Sequence, residues 1–462
     1  MKLDPKVVAE VCCGELTRKV AAQITGISTD TRTIKPGDLF VALKGENFDG
    51  HNFINRALAA GAAAIIYSDG DELHAPDCQA SMIKVSDCLT ALQQLAAFYR
   101  CNSDAFFIGV TGSNGKTTTR EMLLHLLSNE ASCHSTRGNL NNHIGLPLTL
   151  LAINEQAKYA VIEMGMNHAD EIRQLCRIAK PDAALISNIG PAHIGILKSL
   201  TNIAKAKAEI LEQLQPDQFA VVTGDTEFTQ LFRQSTNARL FTFGTKPDNH
   251  YRIADICENT DSVTFSLSID NQSHHCHLAL SGAHNAFNAV AALATYHQLG
   301  YDLKRGISNI SQFKPVSARM EKHEVDGINV IVDCYNANPG SMLAALKYLH
   351  ICPPERVAVL GDMRELGDLS VQMHKNIGTE ASKLSIELMI CVGDDAAHIA
   401  SAALASGMVE NSVIALSSND EAAELLSKRL KKGSTVLFKA SRGMHFETIL
   451  RKLWPGMAKD LH

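Results

Sequence analysis

The amino-acid sequence predicts an α/β protein built from three domains. From Phe106 onward, short apolar runs rich in β-branched residues alternate with helical segments. This alternation is typical of a mostly parallel sheet that is covered by helices on both faces. The chain has 462 residues, which is more than one ordinary hydrophobic core accommodates. We expect three domains, over residues 1–102, 103–312 and 313–462.

The strand and helix patterns differ between these regions. The first is expected to be a small α/β domain, because the runs DLFVALKG, AAAIIYS and SMIKVS are mixed with short helices. The central region has four apolar strand candidates, three alternating runs and a long helix. They lie at 106–110, 159–164, 183–188 and 219–224, near 251–257, 262–268 and 274–280, and at about 284–299. The C-terminal region is predicted to be Rossmann-like. Its strand candidates lie at 328–334, 356–362, 386–393 and 435–441.

The composition is that of an ordinary globular protein. Hydrophobic residues make up 45% and charged residues 20% of the chain, and the formal net charge is -6. This balance provides no basic surface for nucleic acid or for an anionic membrane. No apolar segment has the length of a membrane span, and Glu10 and Glu15 interrupt the first apolar run, so it lacks the core of a signal peptide. We therefore expect a cytoplasmic protein, in which the twelve scattered cysteines, none in a C-x-x-C pair, are reduced thiols.

The segment IGVTGSNGKTTT predicts a phosphate-binding loop between a buried strand and a helix. Gly112 and Gly115 let the backbone N–H groups turn inward, Lys116 can meet the β- and γ-phosphates, and Thr117 can ligate Mg²⁺. The commonest form of this loop would need a glycine where Val110 stands, so only a short G-x-x-G-K-T version is present. A glycine turn with a solvated lysine is the alternative. Because strand, turn and helix occur in the required order, the sequence favours ATP binding.

Two further candidate metal ligands follow neighbouring strands of the predicted sheet. Glu163 ends the apolar run YAVIEM, and His193 follows the next run, in SNIGPAHIG. The carboxyl ends of strands in open α/β sheets face ligands, so a carboxylate there suits Mg²⁺. Taken singly, Glu163 fits a helix cap or an ion pair equally well, and a loop histidine such as His193 is more often structural.

Lys207 lies on the apolar face of a predicted helix, TNIAKAKAEILEQL. Its neighbour Lys205 falls on the solvated side, where Glu209 and Glu212 are also expected. Desolvation of Lys207 would favour its neutral amine, which can react with CO₂ to form a carbamate. The alternative is a lysine that extends from the edge of the core to solvent, and helix geometry alone slightly favours it.

The chain resembles the Mur ligase family, the ATP-dependent amide-forming enzymes of peptidoglycan precursor synthesis, over essentially its whole length. The matching segments are TGSNGKTT, EMG, NIGPAHIG, AKAKAEI, GAHNAFNAVAA and PVSARM. Within the family, four segments are most similar to the member that adds D-alanyl-D-alanine to UDP-MurNAc-tripeptide. They are STDTRTIKPGDLFVALKGENFDGHNF, GNLNNHIGLPLTLL, DCYNANPGSM and LGDMRELG.

This resemblance implies the metal and phosphate chemistry of the site. Lys116 would hold the γ-phosphate of ATP, and Thr117 and Glu163 would hold one Mg²⁺ ion. His193 and a carbamoylated Lys207 would hold a second Mg²⁺ ion. The product of the implied reaction is an amide, formed through an acyl phosphate with release of ADP and phosphate.

The resemblance also implies binding residues in all three domains. Besides Lys116 and Thr117, the nucleotide contacts would be Gly112, Ser113, Asn114, Gly115 and Thr118 in the loop, Asn285 and Asn288 at the adenine, Arg319 at the phosphates and Asp333 at the ribose. The first domain would be a cap that binds the UDP substrate, and the C-terminal domain would bind the dipeptide. Their substrate contacts would be Ser28, Asp30, Arg32, Asp49, His51, Asn139, Asn142, Tyr335, Asn336, Asn338 and Ser341. We expect a monomer that binds these small molecules and neither nucleic acid nor a membrane.

Three alternatives remain open. The first is another ligase of the same family, either an amino-acid-adding member or folylpolyglutamate synthase, although YNANP and LGDMRELG argue against it. The second is a P-loop NTPase that drives a conformational switch or transport, which would leave the cap unexplained. The third is a nucleotide-binding protein without catalytic activity.

Overall fold

The computed structural model of the chain describes residues 3–20, 23–46, 48–68, 79–314 and 320–457. Within them, three large sheets of five, nine and six strands follow one another along the chain, and each sheet mixes parallel and antiparallel pairs. The protein is therefore of the α/β class, as the sequence predicts. The exact domain boundaries stay predictions.

The N-terminal region has a five-stranded sheet and a separate two-stranded one. Its elements are α1 (Pro5–Val11), β1 (Glu15–Arg18), β2 (Gly26–Ser28), β3 (Asp38–Val41), β4 (Lys44–Gly45), β5 (Phe48–Asp49), α2 (Ile54–Ala59), β6 (Ala64–Tyr67), β7 (Ser81–Lys84) and α3 (Cys88–Cys101). The larger sheet has the order β1-β7-β6-β3-β2, and only its β1–β7 pair is antiparallel. Strands β4 and β5 form the small sheet.

The central region has a nine-stranded sheet with the order β16-β15-β14-β13-β12-β11-β8-β10-β9. Its elements are β8 (Phe106–Thr111), α4 (Lys116–Ser128), β9 (Cys133–Ser135), α5 (Gly145–Leu151), β10 (Tyr159–Glu163), α6 (Glu171–Ala179), β11 (Ala183–Ile186), α7 (Ile194–Leu197), α8 (Leu200–Ala208), β12 (Phe219–Thr223), α9 (Thr229–Gln234), β13 (Arg239–Gly244), β14 (Tyr251–Glu258), β15 (Val263–Ile269), β16 (Gln272–Leu278), α10 (Ala283–Gln298) and α11 (Leu303–Ile310). In the part of the sheet with the order β14-β13-β12-β11-β8-β10-β9, all neighbouring strands pair in parallel. Strands β14, β15 and β16 extend the sheet as an antiparallel meander.

The C-terminal region has a six-stranded sheet with the order β17-β18-β22-β19-β20-β21. Its elements are β17 (Glu321–Val325), β18 (Ile328–Asp333), α12 (Pro339–Ile351), β19 (Arg356–Gly361), α13 (Ser370–Ala381), β20 (Leu388–Val392), α14 (Ala397–Ala405), β21 (Val413–Leu416), α15 (Asn419–Arg429), β22 (Thr435–Lys439) and α16 (Glu447–Leu453). Only the edge strand β17 is antiparallel to its neighbour.

The sheets are buried on both faces, because alternate residues of one strand enter different hydrophobic clusters. In β8, Phe107 belongs to one cluster, whereas Ile108 and Val110 belong to another. In β19, Val357 and Leu360 are divided in the same way. One cluster continues from the N-terminal helices through α5 and α6 to α12 and α13, so the three regions share packed surface.

The strands that the sequence predicted in the central and C-terminal regions are all present. The alternating runs near 251–257, 262–268 and 274–280 form β14, β15 and β16. Among the described residues, all eleven cysteines are free thiols, and Cys78 lies outside them. No described helix is both long and apolar enough to cross a bilayer.

Candidate active site

The phosphate loop connects β8 to α4, and its two glycines are required by close packing. Gly112 has φ 153° and Gly115 has φ 75°. A Cβ atom on Gly112 would collide with the side chain of Ser187, and one on Gly115 would collide with that of Asn288. The loop therefore fits against β11 and α10 only because both residues lack a side chain.

The segment after β11 holds the loop in place through four hydrogen bonds that involve side chains and one between backbone groups. The Ser187 hydroxyl donates to the carbonyl of Asn114 at 2.6 Å, and the Asn114 N–H donates to Asn188 Oδ1 at 2.8 Å. The Ser113 hydroxyl donates to the Gly190 carbonyl and accepts from the Gly190 N–H, both at 2.8 Å. Ser187 and Asn188 were not predicted as site residues, although both follow the strand beside β8.

The loop ends at a helix N-terminus that fits a phosphate group. Helix α4 begins at Lys116, and its N-cap Gly115 provides no side-chain acceptor for the first N–H groups. Thr117 and Thr118 are partly exposed in this first turn. The Lys116 ammonium donates to the Gly112 carbonyl at 2.9 Å, so the cation folds over the loop. The N–H groups of a helix N-terminus together with a lysine are a donor set that binds nucleotide phosphates.

Glu163 ends β10, which lies beside β8 on the side opposite β11. Its side chain is 2% exposed. Asn141 Nδ2 donates to Glu163 Oε1 at 2.8 Å, and a guanidinium nitrogen of Arg120 lies 3.3 Å from Oε2. Arg120 and Asn141 were not predicted, yet Arg120 follows Lys116 by one helical turn. A carboxylate at this strand end has the chemistry to ligate a divalent cation, although Arg120 neutralises part of its charge.

Lys207 is fully buried on α8, as its position on the apolar face predicted. Burial lowers the pKa of Lys207 well below its ordinary value, and nearby Lys116 lowers it further. The prediction for Glu209 was wrong, because this residue is 3% exposed and accepts hydrogen bonds from the N–H groups of Asp170 and Arg173. The α-helix ends at Ala208 and continues as a 3-10 turn, which rotates Glu209 inward.

His193 precedes α7 at the same sheet edge, with φ 58°. Its Nδ1 lies 2.6 Å from a carboxylate oxygen of Glu365, in the C-terminal region. In the described part of the chain, no three His, Cys, Asp or Glu side chains are grouped as a metal site. The roles of Thr117, Glu163, His193 and Lys207 as metal ligands therefore stay predictions that rest on the family resemblance.

Asn285 and Asn288 are buried on α10 rather than exposed in a cleft. Asn288 Nδ2 donates to Asn285 Oδ1 at 3.0 Å, and Asn288 Oδ1 accepts from the Thr119 hydroxyl at 3.2 Å. Asn288 thus packs against Gly115 of the phosphate loop and bonds to Thr119 of α4. The expected contact of these two residues with adenine stays a prediction.

Asp333 ends β18, where a buried lysine meets it. Lys439 is 2% exposed, and its Nζ lies 2.8 Å from Asp333 Oδ2 and 2.6 Å from the Asn336 carbonyl. Lys439 was not predicted, because nothing in its apolar strand marks the residue as a partner of β18. Arg319 lies outside the described residues.

The predicted dipeptide residues surround the N-terminus of α12. Asn338 and Ser341 form a reciprocal capping box, in which each side chain bonds to the backbone N–H of the other. Asn338 Nδ2 also donates to Asn114 Oδ1 at 2.6 Å, which joins α12 to the phosphate loop. Tyr335 and Asn336 precede the helix, and the Asn336 side chain accepts from the N–H of Ala337.

The predicted substrate residues of the N-terminal region form two local turns. Arg32 makes a bidentate ion pair with Asp30, whose backbone bonds to the Ser28 hydroxyl. The Arg32 hydrogen bond lowers the pKa of the Asp30 carboxyl. His51 Nδ1 lies 2.6 Å from Asp49, and its Nε2 accepts from the N–H of Ser68, so both ring nitrogens are engaged.

The two predicted asparagines of the segment before α5 are both exposed. Asn142 Oδ1 accepts from the N–H groups of Ile144 and Gly145 at the start of α5. Asn139 bonds to Asn141 through the backbone. Asn142 therefore has a structural role, and substrate contacts by this segment stay predictions.

Three family models match consecutive parts of the chain. They are the Mur ligase family, catalytic domain, over residues 23–100, the Mur ligase middle domain over 110–296, and the Mur ligase, glutamate ligase domain, over 318–442. The UDP-N-acetylmuramoyl-tripeptide--D-alanyl-D-alanine ligase of Bacillus subtilis (strain 168) is 38% identical over 459 residues, which cover 98% of each chain. The Escherichia coli (strain K12) protein of the same name is 34% identical over 455 residues, covering 96% of this chain and 97% of that one.

Solved structures show the same similarity. MurF from Acinetobacter baumannii superposes with a TM-score of 0.88 at 33% identity, covering 98% of this chain and 99% of that one. MurF from Thermotoga maritima, in complex with ADP, gives 0.81 at 28% identity, covering 94% and 98%. This similarity over the whole length shows that the chain belongs to the Mur ligase family.

Proposed function

We propose that this protein is an ATP-dependent ligase that joins D-alanyl-D-alanine to UDP-MurNAc-tripeptide in peptidoglycan precursor synthesis. The observation that carries the proposal is the buried Lys207 beside Lys116 at the phosphate loop. A switch NTPase has no use for a desolvated lysine there, whereas an amide-forming ligase must handle a substrate carboxylate next to a triphosphate. The identity of the two substrates rests on the similarity to the ligases of Bacillus subtilis and Escherichia coli.

The reaction solves a problem of reactivity, because a carboxylate is a poor electrophile in water. A carboxylate oxygen of the tripeptide attacks the γ-phosphorus of ATP, and the bond to the β-phosphate oxygen breaks to release ADP. The amine of the dipeptide then attacks the acyl phosphate carbonyl, loses a proton and expels inorganic phosphate. Both steps bring negative oxygens together, so stabilisation of charge is the main requirement.

The residues around the loop meet that requirement in separate ways. Lys116 and the first N–H groups of α4 bind the terminal phosphates. Thr117, Glu163, His193 and Lys207 would hold Mg²⁺, which neutralises the phosphate oxygens when it is bound. Lys207 contributes an anionic oxygen only as a carbamate, formed when its neutral amine attacks CO₂ and loses a proton. The burial of Lys207 supports this step, because it favours the neutral amine.

The C-terminal region supports the second step. Helix α12 begins beside the phosphate loop, where Asn338 bonds to Asn114. A dipeptide bound at this helix end would place its amine near the activated carboxyl group. Closure of the two regions around the substrates would also keep water from the acyl phosphate.

Acceptor dependence tests the proposal. The protein, UDP-MurNAc-tripeptide, ATP and Mg²⁺ are incubated with D-Ala-D-Ala, with single amino acids or with glutamate, and phosphate release and product mass are measured. Of these acceptors, we expect only D-Ala-D-Ala to give phosphate release and a pentapeptide product. Release only with an amino acid or glutamate would favour another ligase of the family, and release without any acceptor would favour an NTPase.

Lys116→Ala tests the phosphate loop in the same assay. We expect the rate to fall by at least about 100-fold, because a preorganised cation at the transferred phosphate is lost. Lys205→Ala is the control, since Lys205 is exposed on α8. An unchanged rate in Lys116→Ala would contradict the assignment of the loop.

A further inference from the structure

The loop after β19 packs closely against the segment that carries His193, and we call this contact, between Glu365–Gly367 and His193–Gly195, the interlock. Glu365 and Gly367 belong to this loop, which continues into a 3-10 turn at Gly367–Leu369. The Gly195 N–H donates to the Glu365 carbonyl at 3.0 Å. A Cβ atom on Gly195 would lie 2.5 Å from the Gly367 nitrogen, so the two backbones touch without room for a side chain.

Apolar packing and strain accompany this backbone contact. Leu366 is 2% exposed and shares a hydrophobic cluster with Ile194 and Leu197 of α7. Both His193 and Glu365 adopt the left-handed conformation, with φ 58° and 67°. Non-glycine residues in that region cost free energy and persist where the surroundings require them. The interlock therefore fixes the direction of both side chains.

The side chains of His193 and Glu365 meet at one pair of atoms. His193 Nδ1 lies 2.6 Å from Glu365 Oε2, and the histidine is 17% exposed. Nδ1 is also buried without a hydrogen bond of regular geometry among the described residues. Hydrogen bonds at catalytic sites are often poorly aligned before ligands bind and tighten afterwards. The Glu365 carboxylate is thus close enough to accept a hydrogen bond from an Nδ1 proton of His193, although the present contact does not have the geometry of a regular hydrogen bond.

We propose that Glu365 is a positioning residue for His193, holding the proton on Nδ1 so that Nε2 is the nitrogen that ligates Mg²⁺. Histidines that bind metals usually donate their other ring N–H to a carboxylate or carbonyl, which fixes tautomer and ring orientation. The inference rests on the proposed function, in which His193 is a metal ligand. Because Glu365 lies in the C-terminal region, metal affinity in the central region depends on docking of the two.

A graded pair of substitutions tests this role. Glu365→Gln retains an acceptor without charge, and Glu365→Met retains similar length without an acceptor. We expect the Mg²⁺ concentration for half-maximal ligase activity to rise in the order wild type, Gln, Met, by about 10- to 100-fold for Met. Mg²⁺ binding is also measured by calorimetry with a non-hydrolysable ATP analogue, which does not depend on turnover.

Hydrogen exchange at the Gly195 amide separates positioning from docking. Unchanged exchange with weaker Mg²⁺ binding supports the proposal, because the interlock is then intact. Weaker binding together with faster Gly195 exchange would overturn it, since Glu365 would only hold the regions together. Equal Mg²⁺ affinity in all three proteins would overturn it as well.

Two further variants complete the design. Asp368→Asn is the matched control, because Asp368 lies in the same turn, is 99% exposed and pairs with Lys198 only at 3.8 Å. We expect wild-type Mg²⁺ affinity from it. His193→Ala tests the underlying assignment: normal Mg²⁺ affinity in this variant would remove His193 from the metal site itself, a failure distinct from that of Glu365.

Discussion

Replacement of Lys207 by methionine is expected to stabilise the protein and inactivate it. Methionine keeps the length and most of the apolar contacts of the side chain while removing the amine. The wild-type lysine is fully buried on the helix face that also carries the buried residues Ile203, Ile210 and Leu211, so its polar group is withdrawn from water. This withdrawal destabilises the folded state, and the substitution relieves it.

The pH dependence of this stabilisation follows from the direction in which the pKa of the buried lysine is shifted. The folded-state pKa is depressed well below 10.5, so between the two values the unfolded chain binds more protons than the folded one. Stability therefore rises with pH through this window, and the penalty is greatest below the folded-state pKa. From the usual cost of burying a polar group, we expect Lys207→Met to stabilise the protein by about 1–3 kcal/mol at pH 7. The gain should shrink as the pH approaches 10.5.

Thermal unfolding in buffer depleted of CO₂ measures this gain, since the lysine is then unmodified. For a domain of 150–250 residues, each kcal/mol corresponds to roughly 2–4 °C in Tm. Lys205→Met is the control on the exposed face of the same helix, and it should change neither Tm nor activity. Ligase activity of Lys207→Met should fall by at least about 100-fold.

Chemical rescue links the loss of activity to the carbamate. Lys207→Ala opens space where the side chain stood, and added acetate or formate should restore part of the rate. Full activity of either Lys207 variant would refute the reasoning. A stability of Lys207→Met equal to or below that of the wild type at pH 7 would refute the assigned cost of burial.

Two further substitutions test the surroundings of the nucleotide site. Lys439→Met should destabilise the protein by about 3 kcal/mol, because it leaves the Asp333 carboxylate without its buried partner, and it should raise KM for ATP. Denaturant unfolding measures the stability and steady-state kinetics measure KM. Unchanged values of both would show that the pair is dispensable. Gly112→Ala should abolish ATP binding and cost about 1–3 kcal/mol, because its Cβ collides with Ser187; calorimetric titration with ATP that gives the wild-type Kd would contradict this.

The sequence predicted continuous buried strands well, and it missed the edge strands β9 and β17. Central strands such as β8 and β19 are continuous apolar runs, because both of their faces are covered. Strand β9 has only three residues, and β17 reads EKHEV with no residue fully buried, so neither has an apolar pattern to recognise. Such strands are defined by pairing with a neighbour, which local sequence does not record.

The candidate site was predicted to a similar extent. Glu163, His193 and Lys207 were selected because strand ends and a helix face position them, and their roles stay predictions. Glu365 and Lys439 were missed because each contacts the site from a segment distant in sequence, and only the fold brings them there. Glu209 was misplaced because a 3.6-residue period was extended into a tighter turn.

The hydrogen bond between Asn338 and Asn114 connects the predicted dipeptide site to the predicted nucleotide site. Asn338 caps the helix at the expected dipeptide site, and Asn114 is part of the loop that is predicted to bind the triphosphate. If ADP or ATP strengthens this bond, nucleotide must increase the affinity for the dipeptide, and the dipeptide must increase the affinity for nucleotide by the same factor. Nucleotide and dipeptide would then bind cooperatively through a single hydrogen bond, in whichever order they arrive.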